Sequence, residues 1–186
     1  MTLPRGFKAE AERTAERIRA ELNLAPDAAL PAGQLTEYMG IRLVSAETLV
    51  DRSRLEELER LQAFSFSAVT FDVQDRKIIV TNPLRTKERM ASDVAHEVSH
   101  VLLKHKLSEV REVEGVPFRT CQPAEEEQAT ALGGALLLPR KLLLAAARRR
   151  LTPEAIAAEY GVTVDMARFR YNTTGVGRQA RAATAS

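Results

Sequence analysis

His96-Glu97-Val98-Ser99-His100 is the stretch that decides the fold of this chain. It has the form His-Glu-x-x-His, and its two histidines are two of only three among the 186 residues. Residues four apart lie on the same face of an α-helix, so both imidazoles can bind one metal ion. Glu97 directly follows the first histidine and would face a water molecule at that ion. The stretch therefore predicts a helix that carries a catalytic metal site.

The residues around this motif have the periodicity of an amphipathic helix over positions 86–104. The histidines fall beside its apolar stripe, which a chance match in a loop would lack. The alternative is a pair of surface histidines on an ordinary helix. The stripe repeats every four residues and consists of Met90, Val94, Val98 and Leu102.

His105 is the remaining histidine, and it is not predicted to bind the metal. It follows His100 by five residues, which places it off the ligand face of a continuous helix. In the metzincin arrangement a histidine stands six residues after the motif and is preceded by a glycine turn. Leu103 and Lys106 stand where that arrangement needs Gly and His. We therefore expect His105 to be an ordinary exposed residue.

The third metal ligand is predicted to be a carboxylate from a second helix, over residues 123–138. A catalytic zinc takes three protein ligands and keeps one open position for water. Three glutamates begin this helix, and only one of them can face the metal. Glu126 stands three residues before Ala129, which belongs to the buried stripe, so Glu126 shares that face. The alternatives are Glu125, Glu127 and Cys121.

This ligand set predicts the hydrolysis of a peptide bond. Zinc lowers the pKa of water towards neutrality and polarises a carbonyl. Glu97 would take the proton from that water and deliver it to the leaving amine, without a covalent intermediate. Zn²⁺ is the expected ion, and Mn²⁺ is an alternative because the same ligands hold it. Candidates for stabilising the transition state are Tyr38, Tyr160, Tyr171 and Arg89.

Composition argues against several other classes of protein. Apolar residues make up 45% and charged residues 28% of the chain, which is typical of a soluble globular protein. The formal net charge of +2 gives no overall signature of nucleic-acid or membrane binding. Cys121 is the only cysteine, so an intramolecular disulfide is impossible. Positions 1–21 lack the apolar core of a signal peptide, so we expect a cytoplasmic protein without a membrane segment.

Patterning along the chain predicts an α+β fold, in which helices surround a small antiparallel sheet. Besides the two metal-binding helices, further helices are predicted at residues 7–22, 34–39 and 52–61. Strands are predicted at residues 41–44, 64–71 and 77–81, the last two as a hairpin. Residues 105–123 are polar without clear periodicity and are predicted to be a long loop.

Three segments follow from these patterns. Residues 1–150 would form a zinc metallopeptidase domain, 151–175 a helix-turn-helix-like pair of helices, and 176–186 a disordered tail. Arg168 and Arg170 would touch phosphates if the helix pair binds DNA. The alternative is that the pair is a structural cap on the peptidase.

The chain resembles the ImmA/IrrE family of gluzincin-like metallopeptidases over roughly residues 7–177. Besides His-Glu-x-x-His, the stretches that carry the likeness are residues 34–41, Asn82-Pro83 with Arg89, and residues 126–139. The resemblance implies Glu126 as the third ligand. Two positions depart from the family pattern: Thr130 stands where Asn or Asp is usual, and Asp93 where Thr is usual. Thr130 would orient a metal ligand through a hydrogen bond.

The resemblance also implies a substrate and a cellular role. In this family the substrate is a bacterial helix-turn-helix transcriptional repressor, which we expect here to be of the Xre type. Its cleavage by the endopeptidase would derepress a stress or mobile-element regulon. The competing hypothesis is a non-proteolytic regulator that binds DNA or protein and keeps the metal site. Glu97→Gln discriminates the two hypotheses, because it would abolish cleavage only in an enzyme.

Overall fold

The computed structural model of the protein describes residues 3–63, 66–74, 76–105, 110–113, 116–119 and 122–184. Its helices are α1 (Phe7–Glu21), α2 (Ala32–Tyr38), α3 (Arg52–Leu61), α4 (Lys87–Leu102), α5 (Pro123–Leu137), α6 (Arg140–Arg148), α7 (Pro153–Tyr160), α8 (Val164–Thr174) and α9 (Val176–Thr184). Its strands are β1 (Arg42–Ser45), β2 (Ala68–Val73), β3 (Arg76–Thr81), β4 (Val110–Val113) and β5 (Val116–Arg119). These elements confirm the predicted α+β class.

The central sheet has three strands in the order β1-β3-β2. β2 and β3 form the predicted hairpin and pair antiparallel, with Thr70 opposite Ile79. β1 pairs with β3 in parallel, with Leu43 opposite Ile79. The prediction of a wholly antiparallel sheet is therefore wrong for β1. The chain leaves β1 through α3 before it returns to the sheet, and parallel neighbours require a long crossover of this kind.

Residues 105–123, predicted to be a long loop, contain a second sheet. β4 and β5 pair antiparallel, with Val110 opposite Arg119 and Val113 opposite Val116. Each strand has only four residues, which is too short for a period of two to stand out among charged neighbours. The two strands are close in sequence, so their pairing closes only a short loop and loses little chain entropy.

The hydrophobic core lies between α1, α4 and α5 and continues into the C-terminal helices. Val94 and Val98 of the predicted α4 stripe are buried, whereas Met90 and Leu102 are partly buried. α5 buries every residue of its second half, from position 132 to 137. The same hydrophobic cluster includes apolar residues of α6, α7 and α9, so helices from both sides of residue 150 share one core.

Residues 176–184 form α9, although the sequence predicted a disordered tail from residue 176. Val176 and Ala180 lie one turn apart and are both buried, and α9 packs mainly on α6. A Cβ at Gly177 would lie 2.7 Å from the hydroxyl oxygen of Tyr171, so glycine leaves room for this ring. The small residues that predicted disorder are therefore the ones that allow close packing.

Among the residues that the structure describes, no single helix is long and apolar enough to cross a membrane. α5 and α6 together meet the length and composition of a span, but the chain bends by 53° between them. Both helices contribute fully buried leucines to the core, among them Leu136 and Leu143.

Candidate metal centre

α4 brings His96 and His100 together on one face. Their Nε2 atoms lie 3.0 Å apart. α5 adds Glu126 from its first turn, with Oε2 3.1 Å from His96 Nε2 and Oε1 3.4 Å from His100 Nε2. Ligand atoms of these three side chains all lie within 4.8 Å of one another. Three potential metal ligands from two helices therefore meet at one point, called the metal cluster below.

The spacing of these atoms fits a tetrahedral metal ion. Bonds of about 2.0–2.1 Å from zinc to nitrogen and oxygen separate neighbouring ligand atoms by about 3.3 Å. The two Nε2 atoms are 3.0 Å apart, and each lies close to a different oxygen of Glu126, His96 at 3.1 Å from Oε2 and His100 at 3.4 Å from Oε1. Two imidazoles and one carboxylate are a known ligand set of catalytic zinc sites. Solvent reaches the cluster, because the side chains of His96, His100 and Glu126 are 27%, 12% and 38% exposed.

Helix geometry explains why Glu126 joins the cluster and its neighbours do not. Consecutive residues of a helix point about 100° apart, so Glu125 and Glu127 diverge from the face that Glu126 presents. Within the described part of the chain, the group of potential ligands that includes the two histidines contains Glu126 alone from α5. Cys121, the other alternative, lies outside the described residues.

Gly133 sets how closely α5 approaches α4. A Cβ at this position would lie 3.1 Å from the carbonyl carbon and oxygen of Ala95 and from the amide nitrogen of His96. Only a residue without a side chain fits such a contact comfortably. Gly133 follows Glu126 by seven residues, about two helical turns, so both lie on the same face of α5. The close contact therefore helps to position the carboxylate in the metal cluster.

Glu97 is buried and hydrogen-bonded to an edge strand of the central sheet. Thr70 of β2 donates both its backbone N–H, at 3.0 Å, and its hydroxyl, at 2.5 Å, to Glu97 Oε2. Two donors on one oxygen fix the orientation of the carboxylate beside the first histidine of the motif. Sequence reasoning missed Thr70, because no motif or spacing links it to a residue 27 positions later.

Thr130 lies behind the first histidine of the metal cluster. Its Oγ1 is 3.4 Å from His96 Nδ1, the ring nitrogen on the side away from Glu126. This is the place expected for a side chain that orients the ring. The hydroxyl is exposed and the contact is long, so Thr130 orients the His96 ring less strongly than a short buried hydrogen bond would.

His105 lies behind the second histidine, so the prediction that it is an ordinary exposed residue is wrong. Its Nδ1 is 3.0 Å from His100 Nδ1, and its Nε2 is 3.2 Å from Gln128 Oε1. The prediction assumed that α4 continues, but the helix ends at Leu102. Lys104 then adopts a left-handed conformation with φ of 57°, which turns His105 back towards His100.

Two cavities meet at the metal cluster and form a cleft, called the α5–α8 cleft below. One has a volume of about 800 Å³ and lies between α1, α5 and α8. The other has a volume of about 470 Å³ and reaches His96 and Arg89. Both cavities are lined by Glu126, Thr130 and Phe169. α8 therefore forms the wall of the cleft opposite the metal cluster.

Arg89 is the one of the four candidates for transition-state stabilisation that lines this cleft. Its Nε lies 2.9 Å from an oxygen of Asp93, one turn further along α4. Burial raises the pKa of Asp93, and the charge of Arg89 opposes that shift. The other three candidates line neither cavity of the cleft: Tyr38, Tyr160 and Tyr171.

Arg170 is part of the protein interior, and its side chain is only 8% exposed. Its guanidinium donates hydrogen bonds of 2.9 and 3.1 Å to the carbonyl of Leu138 and one of 2.5 Å to Glu12 Oε1. Arg170 is therefore not placed to touch DNA phosphates, as the alternative of a DNA-binding helix pair required. Arg168 is exposed and pairs with Glu154 at 2.6 Å.

Comparisons with known proteins agree with this architecture. The model of the family described as Peptidase_M78, IrrE N-terminal-like domain, matches residues 36–172, a range that includes the whole metal cluster. The fold is similar to that of a solved Mycobacterium tuberculosis transcriptional regulator, with 21% sequence identity and a TM-score of 0.56. That similarity covers 88% of this chain but 50% of the other, so this chain spans about half the length of that protein. No curated protein matches the chain significantly.

Proposed function

Since this chain belongs to the Peptidase_M78 family of IrrE N-terminal-like domains, we propose that it is a zinc-dependent endopeptidase. One observation carries the proposal: ligand atoms of His96, His100 and Glu126 lie within 4.8 Å of one another, and Glu97 follows the first of them. Zinc is proposed because the set of two nitrogens and one oxygen suits it. Mn²⁺ can be held by the same side chains.

The protein's own residues account for binding, orientation and proton transfer in this proposal. His96, His100 and Glu126 hold the ion, which when bound supplies Lewis-acid polarisation of the peptide carbonyl and of water. Glu97 accepts a proton from the attacking water and donates it to the nitrogen of the leaving amine. Thr70 keeps the Glu97 carboxylate in one orientation for both transfers. No covalent bond between protein and substrate is needed.

The α5–α8 cleft is the proposed binding site for the substrate chain. Its two cavities share Glu126, so a polypeptide segment that occupies both passes one of the proposed metal ligands. The lining combines Phe169, which is 39% exposed, with the charged side chains of Lys8 and Arg89. This lining favours a segment that has an apolar side chain close to the scissile bond.

We further propose that the substrate is a helix-turn-helix repressor of the Xre type, cleaved in the bacterial cytoplasm. The likeness to ImmA/IrrE peptidases supports this substrate, because members of that family cleave such repressors. The Mycobacterium tuberculosis protein that shares the fold is named a transcriptional regulator, which is compatible with a regulatory role. Cleavage would inactivate the repressor and derepress a stress or mobile-element regulon.

The test compares bacteria that produce the wild-type protein with bacteria that produce Glu97→Gln. New protein N termini are labelled chemically and identified by mass spectrometry. We expect a new N terminus within a helix-turn-helix repressor in the wild-type cells and none in the variant, because the amide cannot accept the proton. Glu88→Gln, on the exposed side of the same helix, is the matched control and should cleave as the wild type does.

Zinc content of purified Glu97→Gln is measured in parallel, so that lost cleavage is assigned to proton transfer and not to lost metal. Identical sets of N termini in wild-type and Glu97→Gln cells would refute the peptidase. Cleavage that depends on Glu97 but affects another class of protein would keep the enzyme and refute the repressor as its substrate.

A further inference from the structure

His105 and Gln128 continue the metal cluster outwards through a chain of hydrogen bonds. His105 Nδ1 lies 3.0 Å from His100 Nδ1, and His105 Nε2 lies 3.2 Å from Gln128 Oε1. On the opposite side of its ring, His100 directs Nε2 towards Glu126, 3.4 Å from Oε1. His105 and Gln128 are both half-buried, which limits competition from bulk water. We call this pair of residues the His105–Gln128 relay.

The backbone holds both members of the relay in place. The N–H of His105 donates to the carbonyl oxygen of His100 at 3.0 Å, directly after the turn at Lys104. Gln128 lies on α5, two residues after Glu126. The relay therefore connects the C-terminal end of α4 to the turn of α5 that supplies the third ligand.

The direction of these hydrogen bonds is set by metal binding, because His100 Nε2 must have a free lone pair to bind the metal. A neutral imidazole carries one proton, so a ring that binds a metal through Nε2 keeps its proton on Nδ1. His100 Nδ1–H then donates to His105 Nδ1, which must be the acceptor nitrogen of its ring. His105 consequently carries its own proton on Nε2 and donates it to Gln128 Oε1. The amide oxygen of Gln128 is an acceptor, so all donation runs from His100 through His105 to Gln128. In this direction His100 Nε2 keeps its lone pair for the metal.

The reverse direction would disable the ligand. If His105 Nδ1–H donated to His100 Nδ1, the proton of His100 would sit on Nε2 and occupy the position of the metal. His105 Nε2 would then turn a lone pair towards Gln128 Oε1, and the repulsion at 3.2 Å would be relieved only by rotating the amide so that its NH2 group donates to His105. With its oxygen towards His105, as in this structure, Gln128 therefore favours the tautomer of His100 that leaves Nε2 free for the metal.

We propose that His105 and Gln128 are positioning residues that hold His100 in the tautomer and ring orientation that bind the metal through Nε2. The inference rests on the metal binding in the proposed function and extends it to two residues outside the motif. Hydrogen bonds to the outer nitrogen of a ligand histidine change metal affinity by about 10–100-fold. The relay also explains why a third histidine stands close to the motif without being a ligand itself.

The test measures zinc affinity of purified full-length variants by competition with a chromophoric chelator, a readout that does not depend on cleavage. Gln128→Met keeps the length of the side chain and removes the acceptor, so we expect zinc affinity about 10–100-fold below wild type. Gln128→Glu places an acceptor oxygen at the same position and should bind zinc at least as tightly as wild type. Gln122→Met is the matched control, because Gln122 is the exposed residue directly before α5 and its side chain makes no capping hydrogen bond.

A second variant tests the relay from its other member. His105→Phe keeps a ring at this position and removes both nitrogens, so its loss of affinity should equal that of Gln128→Met. The double variant should lose no more than either single variant, because both changes break one chain of hydrogen bonds. The visible spectrum of the cobalt-substituted protein should change in these variants and not in Gln122→Met. Thermal unfolding of each metal-free variant is measured as a control, and a cooperative transition is expected where the fold is retained.

The outcomes separate this inference from the proposed function. Zinc affinities of Gln128→Met and His105→Phe equal to wild type would overturn the relay and leave the peptidase standing. A loss of affinity that Gln128→Glu shares with Gln128→Met would overturn the role of the acceptor. A wild-type protein that binds no zinc would overturn the relay and the peptidase together.

Discussion

Replacing Gly133 by alanine tests whether the approach of α5 to α4 sets the geometry of the metal cluster. The added Cβ would lie 3.1 Å from backbone atoms of Ala95 and His96. Carbon atoms in contact prefer about 3.5–4.0 Å, so the two helices must separate locally by about 0.5 Å. The neighbouring atoms belong to a helical backbone, which cannot turn aside as a side chain can.

Two opposing terms then set the stability of the metal-free protein. Alanine is favoured over glycine within a helix by about 1 kcal/mol. Over-packing of a tight contact destabilises by about 1–3 kcal/mol. We therefore expect Gly133→Ala to lower the free energy of unfolding by about 0–2 kcal/mol. Metal binding is more sensitive, because ligand distances tolerate changes of only about 0.2 Å. Glu126 shares a face of α5 with this contact, so zinc affinity should fall by about tenfold or more.

Urea unfolding of the metal-free proteins and chelator competition for zinc measure the two quantities. Gly33→Ala is the matched control, because a Cβ at Gly33 of α2 would have no atom within 4 Å. This control should leave zinc affinity unchanged and stability equal or higher. Wild-type zinc affinity in Gly133→Ala would refute the idea that the contact positions Glu126. A Gly133→Ala protein more stable than wild type would refute the over-packing.

Three other changes probe the core, a buried phenol and the outer partner of His96. Arg170→Met removes the ion-pair partner of Glu12, although Glu12 still accepts from the N–H of Arg140 at 2.8 Å. The two paired side chains are 8% and 20% exposed, so the free energy of unfolding in urea should fall by about 3 kcal/mol, and a loss under about 1 kcal/mol would contradict a buried pair. Burial raises the pKa of Tyr160 to about 12, so the unfolded chain ionises first and stability should fall as the pH rises from about 10 to 12. Tyr160→Phe should lose this part of the pH dependence, and an unchanged profile would rule out Tyr160 as its source. Thr130→Val removes the hydroxyl 3.4 Å from His96 Nδ1 and should weaken zinc binding by up to about tenfold, whereas unchanged affinity would show that the hydroxyl does not orient the ring.

The first two residues of the metal cluster could be predicted from the sequence, because their geometry is local to one helix. A spacing of four residues on α4 places His96 and His100 side by side whatever surrounds them. Glu126 required one further assumption, that α5 turns its apolar stripe towards α4. Ala129 is fully buried, which agrees with that assumption. The likeness to a peptidase family indicated the same residue, and membership of the family is confirmed.

The partners of these residues depend on tertiary structure and could not be predicted. Thr70 reaches Glu97 only because β2 packs beside α4, and no spacing in the sequence encodes that contact. His105 reaches His100 because α4 ends early and Lys104 turns the chain, whereas periodicity extended the helix to residue 104. A boundary error of two residues was therefore enough to hide the relay.

The two C-terminal helices α6 and α9 could not be predicted either, because their stability depends on tertiary packing. α6 and α9 have nine residues each, and isolated helices shorter than about 12–15 residues are marginal in water. Local propensity alone could not predict them. They are stabilised by packing on each other, with Ala146 of α6 and Val176 of α9 fully buried.

The zinc content of the purified protein shows whether His96, His100 and Glu126 together bind zinc. The protein is incubated with zinc, dialysed and analysed for metal, alongside Glu126→Ala and the neighbouring control Glu125→Ala. We expect one equivalent of zinc in wild type and in Glu125→Ala, and a sharp loss in Glu126→Ala. Wild-type protein that retains no zinc would show that the metal cluster is not a zinc site. Full retention by Glu126→Ala would contradict the assignment of the third ligand and return it to Glu125, Glu127 or Cys121.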